Sequence, residues 1–206
     1  GQGGPITIRL NSYGGDVIAA SRMHQMIRDY PGRVTVRIDG VAASAATVVA
    51  VAGDRVQMAE TAYFMIHDPS MVFFGACINL ETMERLAATL GTVKEGIINA
   101  YESKTGLSRD RLSRYMRDES WFDAARAADL GFVDEVLKGK PKALQLPAGA
   151  GVVNMLSGYS KVPQDVFEAL QSPTGAERRL TDEERREAES LRARVEKLLG
   201  KDEEDA

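Results

Sequence analysis

Short β-strand patterns alternate with helix patterns over the first two thirds of this 206-residue chain, and that alternation constrains the fold more than any other feature. Alternating apolar and polar residues predict strands at 6–10 and 33–39, and the residues between them have apolar side chains at helical spacing. Further strand patterns follow at 55–58, 62–66 and 132–137, and further helix patterns at 43–52, 78–105, 108–116 and 124–130. Strands separated by helices predict an α/β fold with a largely parallel sheet.

The composition changes after residue 137, which predicts a domain boundary there. Residues 1–137 contain the alternating pattern, and 138–178 are interpreted as a linker and irregular segment because they begin with a basic, proline-containing stretch. Residues 179–206 are rich in charges of both signs and open with a capping-box sequence from Thr181 to Glu184. We expect this tail to form a charged helix outside the core.

Charge and rare residues exclude several classes of function. The net charge of −4 offers no broad basic surface for a phosphate backbone, so no nucleic-acid partner is expected. No apolar run reaches the roughly 20 residues that span a bilayer, so no membrane partner is expected. A single cysteine and two histidines exclude an intrachain disulfide, a cysteine-rich zinc site and a three-histidine metal site.

Ser44 stands where a nucleophile would have space and an anion-binding site beside it. It follows the second predicted strand and lies among alanines at the start of a predicted helix. Amides in the first turn of a helix lack intrahelical acceptors, so the Ala45 N–H could face a developing oxyanion. The position equally suits an ordinary serine that caps a helix. The turn after the first strand contains Gly14 and Gly15, which either expose further amides or only make a tight turn.

Two more candidates lie near the ends of later predicted elements. His67 directly follows the strand pattern at 62–66, and α/β folds place their sites at the carboxyl ends of parallel strands. Asp118 and Glu119 precede the single tryptophan, Trp121, and either carboxylate could orient an imidazole. Considered one at a time, His67 also fits a structural histidine, and the two carboxylates fit a solvated helix end.

The order of these motifs resembles the ClpP family of serine peptidases. Between Pro5 and Leu137 the chain contains, in order, NSYGGDV, IDGVAASAA, MIHDP and DESWFDAARAADLGFVD. Serine, histidine and acid follow one another in the family's order. The resemblance implies a ClpP/crotonase-type α/β fold, which is a spiral of βαβ units, and makes 1–137 a ClpP-like peptidase domain.

The resemblance also implies a role for each candidate. Ser44 matches the nucleophile of a serine endopeptidase, His67 the general base and Glu119 the triad acid, with Asp118 as the alternative acid. The oxyanion- and substrate-binding positions match Gly14, Gly15 and Ala45. A peptidase of this kind acts through an acyl-enzyme and needs neither a metal nor an organic cofactor.

Within the family, the chain is most similar to the head maturation proteases of phages and prophages, because it has Glu119, Trp121 and a charged tail. That subtype implies a homo-oligomeric ring in the cytoplasm of the host or in the procapsid, polypeptide substrates, and phage capsid or scaffold proteins as partners. An AAA+ unfoldase is the less expected partner. Three alternatives remain: a housekeeping Clp proteolytic subunit, a crotonase-fold acyl-CoA enzyme, and a capsid-assembly scaffold with a vestigial site.

Overall fold

The computed structural model describes residues 3–71, 73, 75, 77–139, 159–164 and 166. Eleven helices and strands are found in these residues. In chain order they are β1 (Ile6–Ser12), α1 (Val17–Arg28), β2 (Val34–Ala43), α2 (Ala45–Ala50), β3 (Arg55–Ala59), β4 (Tyr63–Ile66), α3 (Leu80–Thr105), α4 (Arg109–Arg117), β5 (Ser120–Asp123), α5 (Ala124–Asp129) and β6 (Glu135–Leu137). The charged helix predicted at 179–206 lies outside the described residues.

Strand β2 organises the sheet because it is long enough to pair with three neighbours. It pairs with β1 from Val34 to Ala42, while its first half also pairs with β3 and its second half with β4. These pairs and the β3–β6 pair are parallel, whereas β5 runs antiparallel to β4. The order is β5-β4-β2-β3-β6, with β1 beside β2. A strand that changes partners along its length curls the sheet. Because four of the five strand pairs among the described residues are parallel, the predicted α/β fold with a largely parallel sheet is confirmed.

Side-chain caps explain where the two longest helices begin, and a glycine explains where the longer one ends. The Asp16 carboxylate accepts hydrogen bonds from the amides of Ile18 and Ala19, at 2.7 and 3.0 Å, and so starts α1. Asn79 caps α3 through the amide of Thr82. Gly106, with φ 68°, ends α3 in the left-handed conformation that glycine adopts without strain.

Strand β5 was not predicted from the sequence, which favoured a solvated helix end at Asp118–Trp121. The strand has only four residues, too few to show a clear alternation. Its position is set by pairing with β4, in which Trp121 lies opposite Met65 and Phe122 opposite Phe64. This antiparallel pair brings the start of β5 next to the end of β4.

Helix α3 is long and largely uncovered. Its 26 residues correspond to about 39 Å of helix, but its buried side chains are those of Ile97, Ile98 and Tyr101, all in its second half. Near its start, Leu80 is 75% exposed and Met83 is 51% exposed. The first half of α3 therefore has apolar side chains that no other described part of the chain covers.

Part of the predicted linker belongs to the folded domain. Val166 is fully buried in a small apolar cluster with Tyr13 and Met65, and Tyr159 packs against the same cluster. The Tyr159 hydroxyl donates a hydrogen bond of 3.1 Å to the carbonyl of Tyr13. The boundary expected after residue 137 therefore does not separate Tyr159, Val162 and Val166 from the domain they pack on.

Candidate active site

Ser44 occupies a strained turn between β2 and α2. Its backbone has φ 55° and ψ −128°, a conformation that is unfavourable for a residue with a Cβ atom, and its amide is bound to the Met65 carbonyl at 2.9 Å. The side chain makes no capping bond to α2. Its Oγ lies 2.6 Å from Nε2 of His67 instead. The strain thus directs the hydroxyl toward the imidazole, which argues against the alternative of an ordinary helix cap.

His67 directly follows β4, and backbone hydrogen bonds hold the chain before and after it. The carbonyl of Met65 accepts a hydrogen bond from the Ser44 amide, and the amide of Asp68 donates one to the carbonyl of Met116 at 3.0 Å. Burial lowers the pKa of His67, while the charges of Glu119 and Asp68 act in the opposite direction without reversing the shift. A neutral imidazole at neutral pH can accept the proton of Ser44. The other histidine, His24, lies on α1 and hydrogen-bonds to a backbone carbonyl of α2 through its Nδ1.

Glu119 stands just before β5, also in a strained conformation, with φ 46°. Among the described residues, Ser44 and Glu119 are the two non-glycine positions with positive φ, and both are at this site. The Glu119 carboxylate makes its hydrogen bonds to Ser160, Lys161 and Trp121 rather than to His67. Its charge nevertheless acts on His67, whereas no charge effect of Asp118 on the imidazole is found. The charge effect on His67 and the partial burial of the side chain therefore favour Glu119 over the exposed Asp118 as the candidate acid.

The glycine turn lies directly against Ser44. Gly14 has φ 103°, and a Cβ atom added there would lie 2.7 Å from the Ala43 carbonyl oxygen and 2.9 Å from Cβ of Ser44. Its amide donates to Ser12 Oγ at 3.2 Å, so Gly14 serves mainly as the close contact with Ser44. Gly15 lines the cavity beside Ser44, as does Ala45 at the first turn of α2. Of the three positions expected to bind an oxyanion, Gly15 and Ala45 therefore line the cavity, whereas Gly14 does not.

For the serine peptidase that the order of motifs predicts, we expect Gly14→Ala to lower peptide hydrolysis by at least 100-fold. The new methyl group would collide with backbone atoms beside Ser44 and would also strain a residue with φ 103°. The measurement is kcat/KM on a peptide substrate. Gly91→Ala on α3 is the matched control, because a Cβ atom there meets nothing within 4 Å. Equal activity of the two variants would show that the glycine turn does not position Ser44.

A cavity of about 320 Å³ opens beside Ser44 and His67. Its walls come from the start of α1, from the residues after β4 and from α3 between Thr89 and Tyr101. The side chains that line it are mostly apolar and include Val17, Ile18, Met71, Leu90, Val93 and Ile97. The site combines a hydroxyl and a base, which can accept an acyl group from a substrate, with a recess that can hold an apolar part of that substrate.

Sequence reasoning did not find Tyr159, Ser160 or Lys161 at this site. The Tyr159 ring lies edge-on to His67, with ring centroids 5.1 Å apart, and Ser160 and Lys161 bind Glu119. They belong to a segment without periodicity, and the contact joins residues 41 positions apart. No local pattern in the sequence indicates it.

Comparisons with known proteins agree with the fold and with the order of the motifs. The family model described as Clp protease matches residues 2–140. Proteolytic subunit 2 of the ATP-dependent Clp protease of Thermobifida fusca is 29% identical over 66% of this chain and 66% of its own length. Proteolytic subunit 1 of Streptomyces avermitilis is 31% identical over 65% of this chain and 61% of its own length. The chain thus spans about two thirds of these relatives.

A solved structure shows the same architecture. The N165D mutant of ClpP1 from Listeria monocytogenes superposes with a TM-score of 0.59 at 27% sequence identity, covering 66% of this chain and 75% of its own. The expected ClpP/crotonase-type fold is thereby confirmed. No helix among the described residues is long and apolar enough to cross a membrane.

Proposed function

We propose that this chain, which belongs to the Clp protease family, is a serine endopeptidase with Ser44 as nucleophile and His67 as general base. The observation that carries the proposal is the 2.6 Å contact between Ser44 Oγ and His67 Nε2, made by a serine in a strained turn beside an apolar cavity. Nucleophile and base within hydrogen-bonding reach are what covalent catalysis requires.

The reaction follows from these positions. Ser44 Oγ attacks the peptide carbonyl as its proton passes to Nε2 of His67, and the amides of Gly15 and Ala45 bind the resulting oxyanion. Collapse of this intermediate breaks the C–N bond, and the imidazolium donates its proton to the leaving amine. Water then attacks the acyl-enzyme with His67 as base and releases Ser44. We assign to Glu119 the stabilisation of the imidazolium by its negative charge.

The apolar cavity supports a preference for substrates with an apolar side chain before the cleaved bond. An extended peptide could add as a strand along Gly15–Val17, the edge of the glycine turn. The test is hydrolysis of two fluorogenic peptides that differ only in having leucine or aspartate at that position. Faster cleavage of the leucine peptide supports the proposal. Absence of hydrolysis, with turnover of an acyl-CoA instead, would favour the crotonase-type alternative.

The pH profile follows from the burial of His67. Because the pKa of His67 is lowered, its imidazole stays neutral, and able to act as a base, below the ordinary histidine pKa of about 6.5. We therefore expect the acidic limb of kcat/KM against pH to have its midpoint below that value. A midpoint clearly above that value would mean that the base is another group, or that the charges of Glu119 and Asp68 raise the pKa of His67 more than burial lowers it.

We also propose that the chain acts as a homo-oligomer. Exposed apolar side chains on α1, Met23 and Met26, and at the start of α3, Leu80 and Met83, provide surfaces for neighbouring copies. Light scattering should then give a mass several times the 22.4 kDa of one chain. Replacing Leu80 and Met83 together by serine should lower that mass. A single-chain mass at every concentration tested would contradict the proposal.

Within the family, we propose the phage head maturation subtype, acting on capsid or scaffold proteins. It is supported by the glutamate at position 119, by Trp121 and by the charged sequence of residues 179–206. The second candidate is a housekeeping subunit, which the names of the relatives favour. ATP-stimulated degradation of a folded protein together with an AAA+ unfoldase would establish the second candidate, whereas cleavage independent of ATP supports the first.

A further inference from the structure

Residues 159–161 reach the site from outside the part of the chain that the family model matches, which ends at residue 140. They are anchored by the burial of Val166 and by the hydrogen bond from Tyr159 to the Tyr13 carbonyl. We call residues Tyr159–Lys161 the acid clamp, because its polar groups converge on one carboxylate.

The acid clamp binds both oxygens of Glu119. Oε2 accepts hydrogen bonds from the amide of Ser160 at 2.7 Å and from its hydroxyl at 2.9 Å, and Oε1 accepts one from the amide of Lys161 at 2.8 Å. The Lys161 ammonium group also binds the carbonyl of Asp118 at 2.5 Å, which fixes the clamp to the end of α4. Three donors at these distances favour the charged form of the carboxylate.

The backbone of Glu119 gives a reason for such a clamp. With φ 46° the residue is strained, and a glutamate side chain has one more rotatable bond than an aspartate. Without external contacts the carboxylate would have several orientations. Partial burial raises the pKa of Glu119, but the hydrogen bonds from Ser160 and Lys161 outweigh that effect and hold the pKa below its usual value.

The location of the clamp argues against a lid that blocks substrate. Residues 159–161 are not among those that line the cavity beside Ser44. The Tyr159 ring lies edge-on to His67 and to Trp121, with ring centroids 5.1 and 6.3 Å away, and its hydroxyl also interacts with the Ser44 side chain. The acid clamp thus approaches the acid, the imidazole and the serine without lining the cavity.

We propose that Ser160 and Lys161 are positioning residues that hold the Glu119 carboxylate, in its charged form, beside His67. The inference rests on the proposed peptidase function. In this arrangement Glu119 acts on the imidazole through its charge, and the acid clamp replaces the imidazole as the group that orients the carboxylate. The charges that face His67 are those of Glu119 and Asp68, and Asp68 is paired with Lys94 at 2.7 Å.

The test uses Ser160→Ala in the full chain and peptide hydrolysis as the readout. Loss of the hydroxyl donor to a charged acceptor should lower kcat about five- to tenfold. KM should stay within about twofold, because the clamp does not line the cavity. Ser160→Thr keeps a hydroxyl and should restore kcat to within about twofold of wild type. The acidic limb of the pH profile should move to lower pH in Ser160→Ala, since a less well held carboxylate raises the pKa of His67 less.

A control separates positioning from general damage. Ser103→Ala removes an exposed serine from α3 and should change none of these values. An unchanged kcat in Ser160→Ala, a change in KM alone, or failure of Ser160→Thr to restore activity would overturn the inference. A higher kcat would overturn it too, since the clamp would then be withholding Glu119 from His67. If wild type itself neither hydrolyses peptides nor reacts at Ser44, the proposed function fails and the inference with it.

Discussion

Ser44→Ala is expected to lower peptide hydrolysis by about six orders of magnitude, because members of a catalytic triad act as a unit. The Oγ atom that lies 2.6 Å from His67 Nε2 is the only group of this residue that can form the acyl-enzyme. The measurement is kcat on the preferred peptide, with an active-site titration to exclude traces of wild-type enzyme. Ser103→Ala is the matched control, and hydrolysis by Ser44→Ala at the wild-type rate would exclude the serine mechanism.

The same variant should fold normally. Ser44 does not cap α2, and alanine has the same Cβ atom as serine, so the strain at φ 55° is unchanged. One hydrogen bond to His67 is lost, which corresponds to about 1 kcal/mol. Thermal unfolding measured beside wild type shows whether the loss of activity comes from chemistry. A large drop in unfolding temperature would instead mean that Ser44 has a structural role.

Glu119→Gln is expected to lower kcat by about 10²- to 10⁴-fold, and Asp118→Asn by less than about threefold. The glutamine removes the charge that faces His67, and its NH₂ group cannot accept the bonds that Ser160 or Lys161 donates. Asp118 is exposed and binds Lys161 through its backbone carbonyl, which the asparagine keeps.

Kinetics of both variants under identical conditions decide the assignment. Equal losses of kcat in the two variants would indicate that both carboxylates contribute to the charge around His67. A larger loss for Asp118→Asn would make Asp118 the triad acid. Glu119→Asp adds a further comparison, because it keeps the charge but shortens the side chain by one methylene. We expect its kcat to lie between those of wild type and Glu119→Gln.

The sequence predicts the fold well because its signals are local. Each βαβ unit shows its own periodicity, and caps such as Asp16 and Gly106 mark helix ends in the sequence itself. Strand β5 escaped prediction because a four-residue strand is defined by its pairing with β4. The position of a strand in the sheet depends on tertiary contacts, which the local sequence pattern does not show.

The candidate site is predictable only in part, for the same reason. Motif order identified Ser44 and His67 as candidates, and the structure places them in contact. The sequence left open that Ser44 might be a helix cap, since its positive φ depends on the path of the chain from β2 into α2. It also assigned residues 159–161 to a linker, because their contact with Glu119 is long-range and leaves no periodic pattern.

The central claim, that Ser44 is an activated nucleophile, is tested most directly by reaction with a fluorophosphonate followed by peptide mapping in a mass spectrometer. We expect one modified residue per chain, located at Ser44, and no modification in the Ser44→Ala or His67→Ala chain. The reaction should be carried out on the oligomer separated by gel filtration. Absence of modification at Ser44 in that oligomer, or equal modification in the His67→Ala chain, would show that Ser44 is not an activated nucleophile.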